Sequence, residues 1–220
     1  MGFRYARGAL LFAGLTAAGS QAADLNVQVV DTTGAPLANA VVVAHWADAP
    51  PPQAQQALVM AQRGRRFEPE VLVVPAGSGV EFPNNDSVLH HVYSFSPAKT
   101  FELELYAGKP EAPVVFDQPG IVTLGCNIHD QMKAYVLVLD GGLQARTDAT
   151  GHAHLTGLPD TGVTLRVWHP RLKTVERWVP STLPEPPWPH PWTLTLDVHG
   201  EAAPPPKTGL RSRFQRSEQY

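Results

Sequence analysis

The sequence predicts an all-β protein, and three observations carry that expectation. Between residues 56 and 140, short runs rich in Val, Ile, Tyr and Phe alternate with Gly- and Pro-marked turns. No stretch of that segment shows a 3.6-residue apolar period. Gly and Pro number 18 and 22 among 220 residues, enough for many turns but short of low-complexity density. Seven or eight strands in about 85 residues make an antiparallel sandwich or barrel with Greek-key connections.

Taken in order, residues 1–22 read as a secretory signal peptide. Arg4 and Arg7 start it, residues 9–18 form its apolar run, and Ser20-Gln21-Ala22 supplies a small-x-small cleavage site. The run is about half the roughly 20 residues that a membrane span needs. Export to a bacterial periplasm is therefore expected, with no membrane span. Strands follow at 25–30 and 40–44, expected as a hairpin around Asp31-Thr32-Thr33-Gly34-Ala35-Pro36. The central set is expected at 57–61, 71–74, 80–82, 91–95, 101–105, 113–116, 120–124 and 134–139, punctuated by Pro75, Gly77, Gly108 and Gly120. Beyond it come a turn at 146–151, strands near 152–155 and 163–170, and a last strand at 192–198. The Pro- and Trp-rich stretch 184–192 reads as a strap over the sandwich. Residues 200–220, with Pro204-Pro205-Pro206 and Arg211, Arg213 and Arg216, lack an apolar period and read as a flexible tail.

Composition narrows the function. With 43% hydrophobic and 17% charged residues the chain is too apolar to be disordered. A formal net charge of -3 gives no reason to expect nucleic acid as a partner. Cys126 is the single cysteine, so no intrachain disulfide forms. A lone thiol in an exported protein should be buried, ligated or reactive.

The chemistry concentrates in Gly125-Cys126-Asn127-Ile128-His129-Asp130-Gln131-Met132, between two apolar runs. A tight inter-strand loop there can turn thiolate, imidazole and thioether towards one point. That set suits copper, with strong thiolate and imidazole bonds and a weak axial thioether. A second imidazole is still needed, and the His90-His91 pair offers it. With 9 His and 3 Met in the chain, both offsets from the only cysteine arise by chance about once in two thousand. Singly, each residue has an ordinary reading: Cys126 a small buried hydrophobe, Met132 a gap filler, His129 a loop residue. Zinc is the rival ion, since Cys126, His129 and one of the pair also make a tetrahedral set.

Residues 56–140 resemble the cupredoxins, the small blue copper proteins. Phe67-Glu68-Pro69, Val80-Glu81-Phe82-Pro83-Asn84-Asn85-Asp86, His90 and the run from Gly120 to Met132 follow that family in order. The short Cys126, His129, Met132 spacing is similar to the amicyanin-type ligand loop. The resemblance implies a Greek-key cupredoxin sandwich binding one copper ion. It implies His90, Cys126 and His129 as equatorial ligands and Met132 as the axial one. It selects His90 because Phe82-x-Asn84-x-Asp86 precedes the ligand by a fixed interval; adjacent strand side chains also point opposite ways. His91, the alternative, then stands where many relatives carry a bracing asparagine. Asn127 is a further departure and a candidate hydrogen-bond partner for the sulfur.

The flanking pieces resemble a carboxypeptidase regulatory-like, transthyretin-type sandwich, in which an Asp-x-x-Gly-x-Pro-Leu hairpin shortly precedes a Thr-Asp-x-x-Gly segment. Here Asp31 to Leu37 and Thr147 to Gly151 are separated by a stretch long enough for a whole cupredoxin. The expectation is a split sandwich, 24–48 plus 141–199, with a copper unit at 53–140 inserted; the rival arrangement is an N-terminal hairpin followed by two domains in series. His152 and His154 alternate on one strand there, which suits a solvated face better than a metal. Similar tandem sequences carry the label methylamine utilisation protein. The expected function is a one-electron carrier between periplasmic redox proteins, not an enzyme. A copper carrier or sensor without redox cycling, and an adhesion or scaffolding sandwich, are the alternatives.

Overall fold

A computed structural model describes residues 23–56, 58–185 and 187–200. The expected leader, 1–22, and all but the first residue of the expected tail lie outside them. The protein is all-β: among the described residues the strands form five hydrogen-bonded sheets. Among the same residues, no helix is long and apolar enough to cross a membrane.

Two sheets draw only on strands before residue 46 and after residue 142. One orders His152–Leu158, Ala23–Asp31 and Trp192–Leu196; the other orders Leu143–Arg146, Val41–His45, Thr164–Trp168 and Val179–Thr182. Ala23–Asp31 shows strand periodicity directly, with Leu25, Val27 and Val29 fully buried and Asp24 and Asn26 on the opposite face. The 25–30 and 40–44 runs do not form the expected hairpin, because they lie in different sheets. The connection carries Pro36 and a left-handed Asn39 (φ 63), and it crosses from one layer to the other. Asp31 organises its start: its Oδ1 accepts from the Thr33 and Ala35 amides at 2.8 and 3.0 Å.

The Thr147 to Gly151 segment docks on that connection. Thr147 Oγ1 donates to Leu37 O at 2.6 Å and accepts from the Ala40 amide at 2.8 Å. Val29 N–H donates to Gly151 O at 2.8 Å. Gly151 has φ 79, and a Cβ there would lie 2.5 Å from Val29 O, so this close approach requires glycine. Trp188 of the Pro-rich stretch is 5% exposed and packs into the same core.

The remaining strands make a second stack. A five-stranded sheet orders Val71–Pro75, Lys133–Leu139, Gly120–Gly125, His90–Ser96 and Lys99–Tyr106. It is backed by Val114–Phe116, Ser78–Glu81 and Leu58–Val59, while Ala61–Gln62 pairs with Phe67–Glu68. The run expected as one strand at 57–61 is thus divided, with 58–59 in one sheet and 61 in another. Pairing is not purely antiparallel, since Lys133–Leu139 runs parallel to Val71–Pro75 and Leu58–Val59 parallel to Ser78–Glu81.

Lys133–Leu139 joins the two stacks. Ala134, Val136 and Val138 enter one core with Cys126 and Met132. The alternate residues Tyr135, Leu137 and Leu139 enter the other, where the Tyr135 and Trp168 rings meet edge-on at 4.8 Å. A strand buried on both faces needs a nearly continuous apolar run, and Ala-Tyr-Val-Leu-Val-Leu is one.

Candidate metal centre

Residues 126–132 connect two strands whose last pairs are Leu124 with Ala134 and Gly125 with Lys133. The loop makes two successive turns: His129 N–H donates to Cys126 O at 3.4 Å, and Met132 N–H to His129 O at 2.9 Å. Three-residue turns bring side chains at i and i+3 onto one side. The spacing of Cys126, His129 and Met132 therefore has a local cause. Cys126 and Met132 are 3% and 2% exposed in one apolar core, and His129 is half-buried.

His90 arrives from the neighbouring strand, whose Tyr93 pairs with Gly125. His90, Cys126 and His129 bring donor atoms within 4.8 Å of one another, the one such group among the described residues. Cys126 Sγ lies 4.0 Å from His90 Nδ1 and 3.8 Å from His129 Nδ1. Bonds of about 2.0–2.3 Å to an ion at a trigonal or tetrahedral centre separate sulfur and nitrogen by roughly 3.5–3.8 Å. One thiol and two imidazole nitrogens close to that spacing, His90 Nδ1 slightly beyond it, with no carboxylate among them, fit a copper or zinc ion of the kind the sequence implies.

The strand's pairing shifts register between His90 and Val92. His90 points inward and is fully buried, whereas His91 Nε2 meets Glu102 Oε1 at 2.8 Å, away from the group. The exposed Asn127 is not among the polar neighbours of the sulfur. His152 and His154 are exposed and gather no such group.

Asp86 is a residue whose role the motif alone did not reveal. His90 Nε2–H donates to its Oδ2 at 2.8 Å, and the amides of Gly64 and Arg65 donate at 2.7 and 2.9 Å. The Arg65 amide and then His90 hold its carboxyl at about 2, so it is ionised at neutral pH. A donating Nε2 fixes the tautomer and leaves the lone pair of Nδ1 towards the sulfur. Asn84 braces the approach: its side chain donates to Val88 O and Tyr106 O at 2.9 Å and accepts from the Asp86 amide at 3.0 Å. Tyr106 closes the floor, donating to Phe82 O at 2.6 Å and accepting from the Gln62 amide; burial pushes its phenol up to about 12. The Phe82 to Asp86 stretch was visible as a motif, but these bonds join residues up to 44 positions apart.

Solved structures that the chain resembles include cupredoxins and a larger copper enzyme. A copper-containing nitrite reductase from Thermus scotoductus SA-01 is 24% identical over 38% of this chain, with a TM-score of 0.36. The chain spans 22% of that enzyme's length. A mutant amicyanin in its oxidised form is 18% identical, with 44% of this chain and 99% of that one covered and a TM-score of 0.35. A purple cupredoxin from Nitrosopumilus maritimus is 23% identical, with 40% and 100% covered and a TM-score of 0.33. No protein family and no curated protein matches the chain.

Proposed function

We propose that this is an exported type 1 copper protein that carries single electrons between periplasmic redox partners. The observation that supports it most is the convergence of Cys126 Sγ with the Nδ1 atoms of His90 and His129, at 4.0 and 3.8 Å, with Cys126 and His90 buried. These three residues would hold one copper ion, with Met132 as the weak axial donor. Copper supplies a one-electron couple when bound. His90 is held at Nε2 by Asp86, Cys126 is kept from bulk water, and the half-buried His129 is the route by which an electron leaves. Four protein donors leave no open position for a substrate, so the reading is a carrier and not an enzyme. The copper unit, 53–140, is proposed as an insertion in a sandwich of 24–48 and 141–199, a reading supported by sheets that pair strands from either side of it.

Titration of purified protein with Cu(II) tests this. An intense blue colour at one ion per chain, with reversible reduction, is expected. Tight Cu(I) binding without the colour would make the protein a copper carrier or sensor. No stoichiometric copper uptake would leave a scaffolding sandwich. Metal analysis and fractionation of native protein decide between copper and zinc and test export.

A further inference from the structure

We propose that the 63–66 turn is the docking element for a redox partner whose contacting face is acidic. The inference rests on the electron-carrier reading and specifies that partner's chemistry. Gln62 pairs with Phe67, and Arg63 and Arg66 exchange backbone hydrogen bonds of 2.9 and 3.2 Å across the tip. Gly64 and Arg65 both have positive φ, 60 and 59, which makes the tip a type I′ hairpin turn. Such turns favour Gly or Asn at the second central position, where this chain carries an arginine. A side chain held in that sparsely populated conformation points from backbone to function.

Asp86 holds the tip in place through the Gly64 and Arg65 amides and, with the same carboxylate, holds His90. The tip is therefore fixed two hydrogen bonds from the imidazole beside Cys126. Arg63, Arg65 and Arg66 are all exposed. Among the described residues none of them makes an ion pair, and neither do the more scattered Lys133, Arg146, Arg171 and Arg177, whereas Lys99, Lys109, Arg166 and Lys173 each have an acidic partner. Lys133 joins Arg65 and Arg66 along a recess beside the ligand loop; Glu68 and Glu70 lie there too, leaving the cations in excess.

Apolar surface adjoins the turn at Val88, 38% exposed, which lines a recess with Gly64, Arg65 and Asp86. Leu89 and Ile128, each 49% exposed, directly precede His90 and His129. On the far edge, Glu102 already takes His91. The positive charge is concentrated on the turn itself, whereas Glu104, beside Ile128, and Asp130, in the 126–132 loop, are exposed acids at this end. Arginine beside exposed apolar side chains is the composition of a contact surface, and unpaired cations steer an anionic face into register.

The test uses the full chain loaded with copper. Hexacyanoferrate(II) gives up one electron to the oxidised protein and becomes hexacyanoferrate(III); hexaammineruthenium(II) does the same from the opposite charge. The variant is Arg63→Gln, Arg65→Asn, Arg66→Gln, with asparagine chosen because it tolerates positive φ. At low ionic strength its reduction by hexacyanoferrate(II) should slow about tenfold and lose most of its salt dependence. Its rate with hexaammineruthenium(II) should hold or rise, and its blue band and potential should stay unchanged. Poly-L-glutamate should slow hexacyanoferrate reduction of the parent protein and leave the variant untouched. Lys173→Gln, remote from the turn, should alter neither rate. A blue variant with the parent's hexacyanoferrate rate and salt slope overturns the docking proposal alone. Equal slowing by both reagents overturns it too, as damage to the site. A parent protein that takes up no copper overturns the electron-carrier reading, and this inference with it.

Discussion

At the residue scale, two adjacent histidines have different fates because neighbouring strand side chains face opposite ways. His90 turns into the core to meet Cys126 and Asp86, while His91 meets an exposed glutamate. His90→Ala should abolish the blue band, and His91→Ala should leave most of it; equal loss in absorption titrations would contradict the geometry. Cys126→Ser should remove the band outright. Asp86→Asn keeps the shape but removes the charge that orients His90. Copper affinity should fall about tenfold or more, the usual effect of losing a ligand's supporting carboxylate, as read by competition with a chelator.

His169, remote from this site, gives a pH dependence. It is 5% exposed, its Nε2–H donates to Ala38 O at 3.1 Å, and its Nδ1 accepts from the Arg171 amide at 3.2 Å. Burial lowers its pKa below the usual 6.5, with Arg171 adding to the effect. The folded state therefore disfavours the imidazolium. Its contribution is intact above about 6.5, the unfolded pKa, and is lost as pH falls towards the folded one. Urea denaturation between pH 7.5 and 5 should show falling stability in the parent and a shallower slope in His169→Gln. Identical slopes would exclude His169 as the titrating group.

At the element scale, the 126–132 loop brings Cys126 and His129 together because two three-residue turns fit between paired strands. The neighbouring strand limits what the loop's first flank can be. A Cβ on Gly125 would lie 2.8 Å from Cζ and Oη of Tyr93, whose ring covers the backbone next to Cys126. Gly125→Ala must displace that ring. It should destabilise the apoprotein by about 1–3 kcal/mol, as overpacking does, and shift the absorption of the loaded site. An alanine variant with parental denaturation and spectrum would show that Tyr93 moves freely. The Cys126, His129 and Met132 spacing was legible from sequence because its cause is local. Gly125 entered the sequence reading only as the first residue of the run to Met132, since Tyr93 lies 32 positions earlier and nothing in a linear pattern pairs them.

At the scale of the whole molecule, the two stacks share one apolar seam. Leu137 is fully buried on the face of its strand opposite the metal-site core, among residues from the flanking sheets. Arg146 spans the same boundary, donating to Val71 O at 2.8 Å. The protein should therefore unfold in a single thermal transition. Leu137→Ala should destabilise it by about 2–5 kcal/mol as one unit. Two resolved calorimetric transitions, with only one moved by the substitution, would show that the stacks fold independently.

The sequence by itself determined the strand-rich class, the cysteine, histidine and methionine triplet, and the residues that make Lys133–Leu139 apolar almost throughout. Each is a local pattern: alternation, a three-residue turn, or an unbroken hydrophobic run. Tertiary structure decided which histidine of the pair faces the sulfur, that Asp86 ties it to an arginine hairpin, and that 25–30 and 40–44 lie in different sheets. Those outcomes depend on strand register and on packing between segments tens of residues apart. Side-chain direction there is set by the partner strand, and the partner strand is known only once the chain has folded.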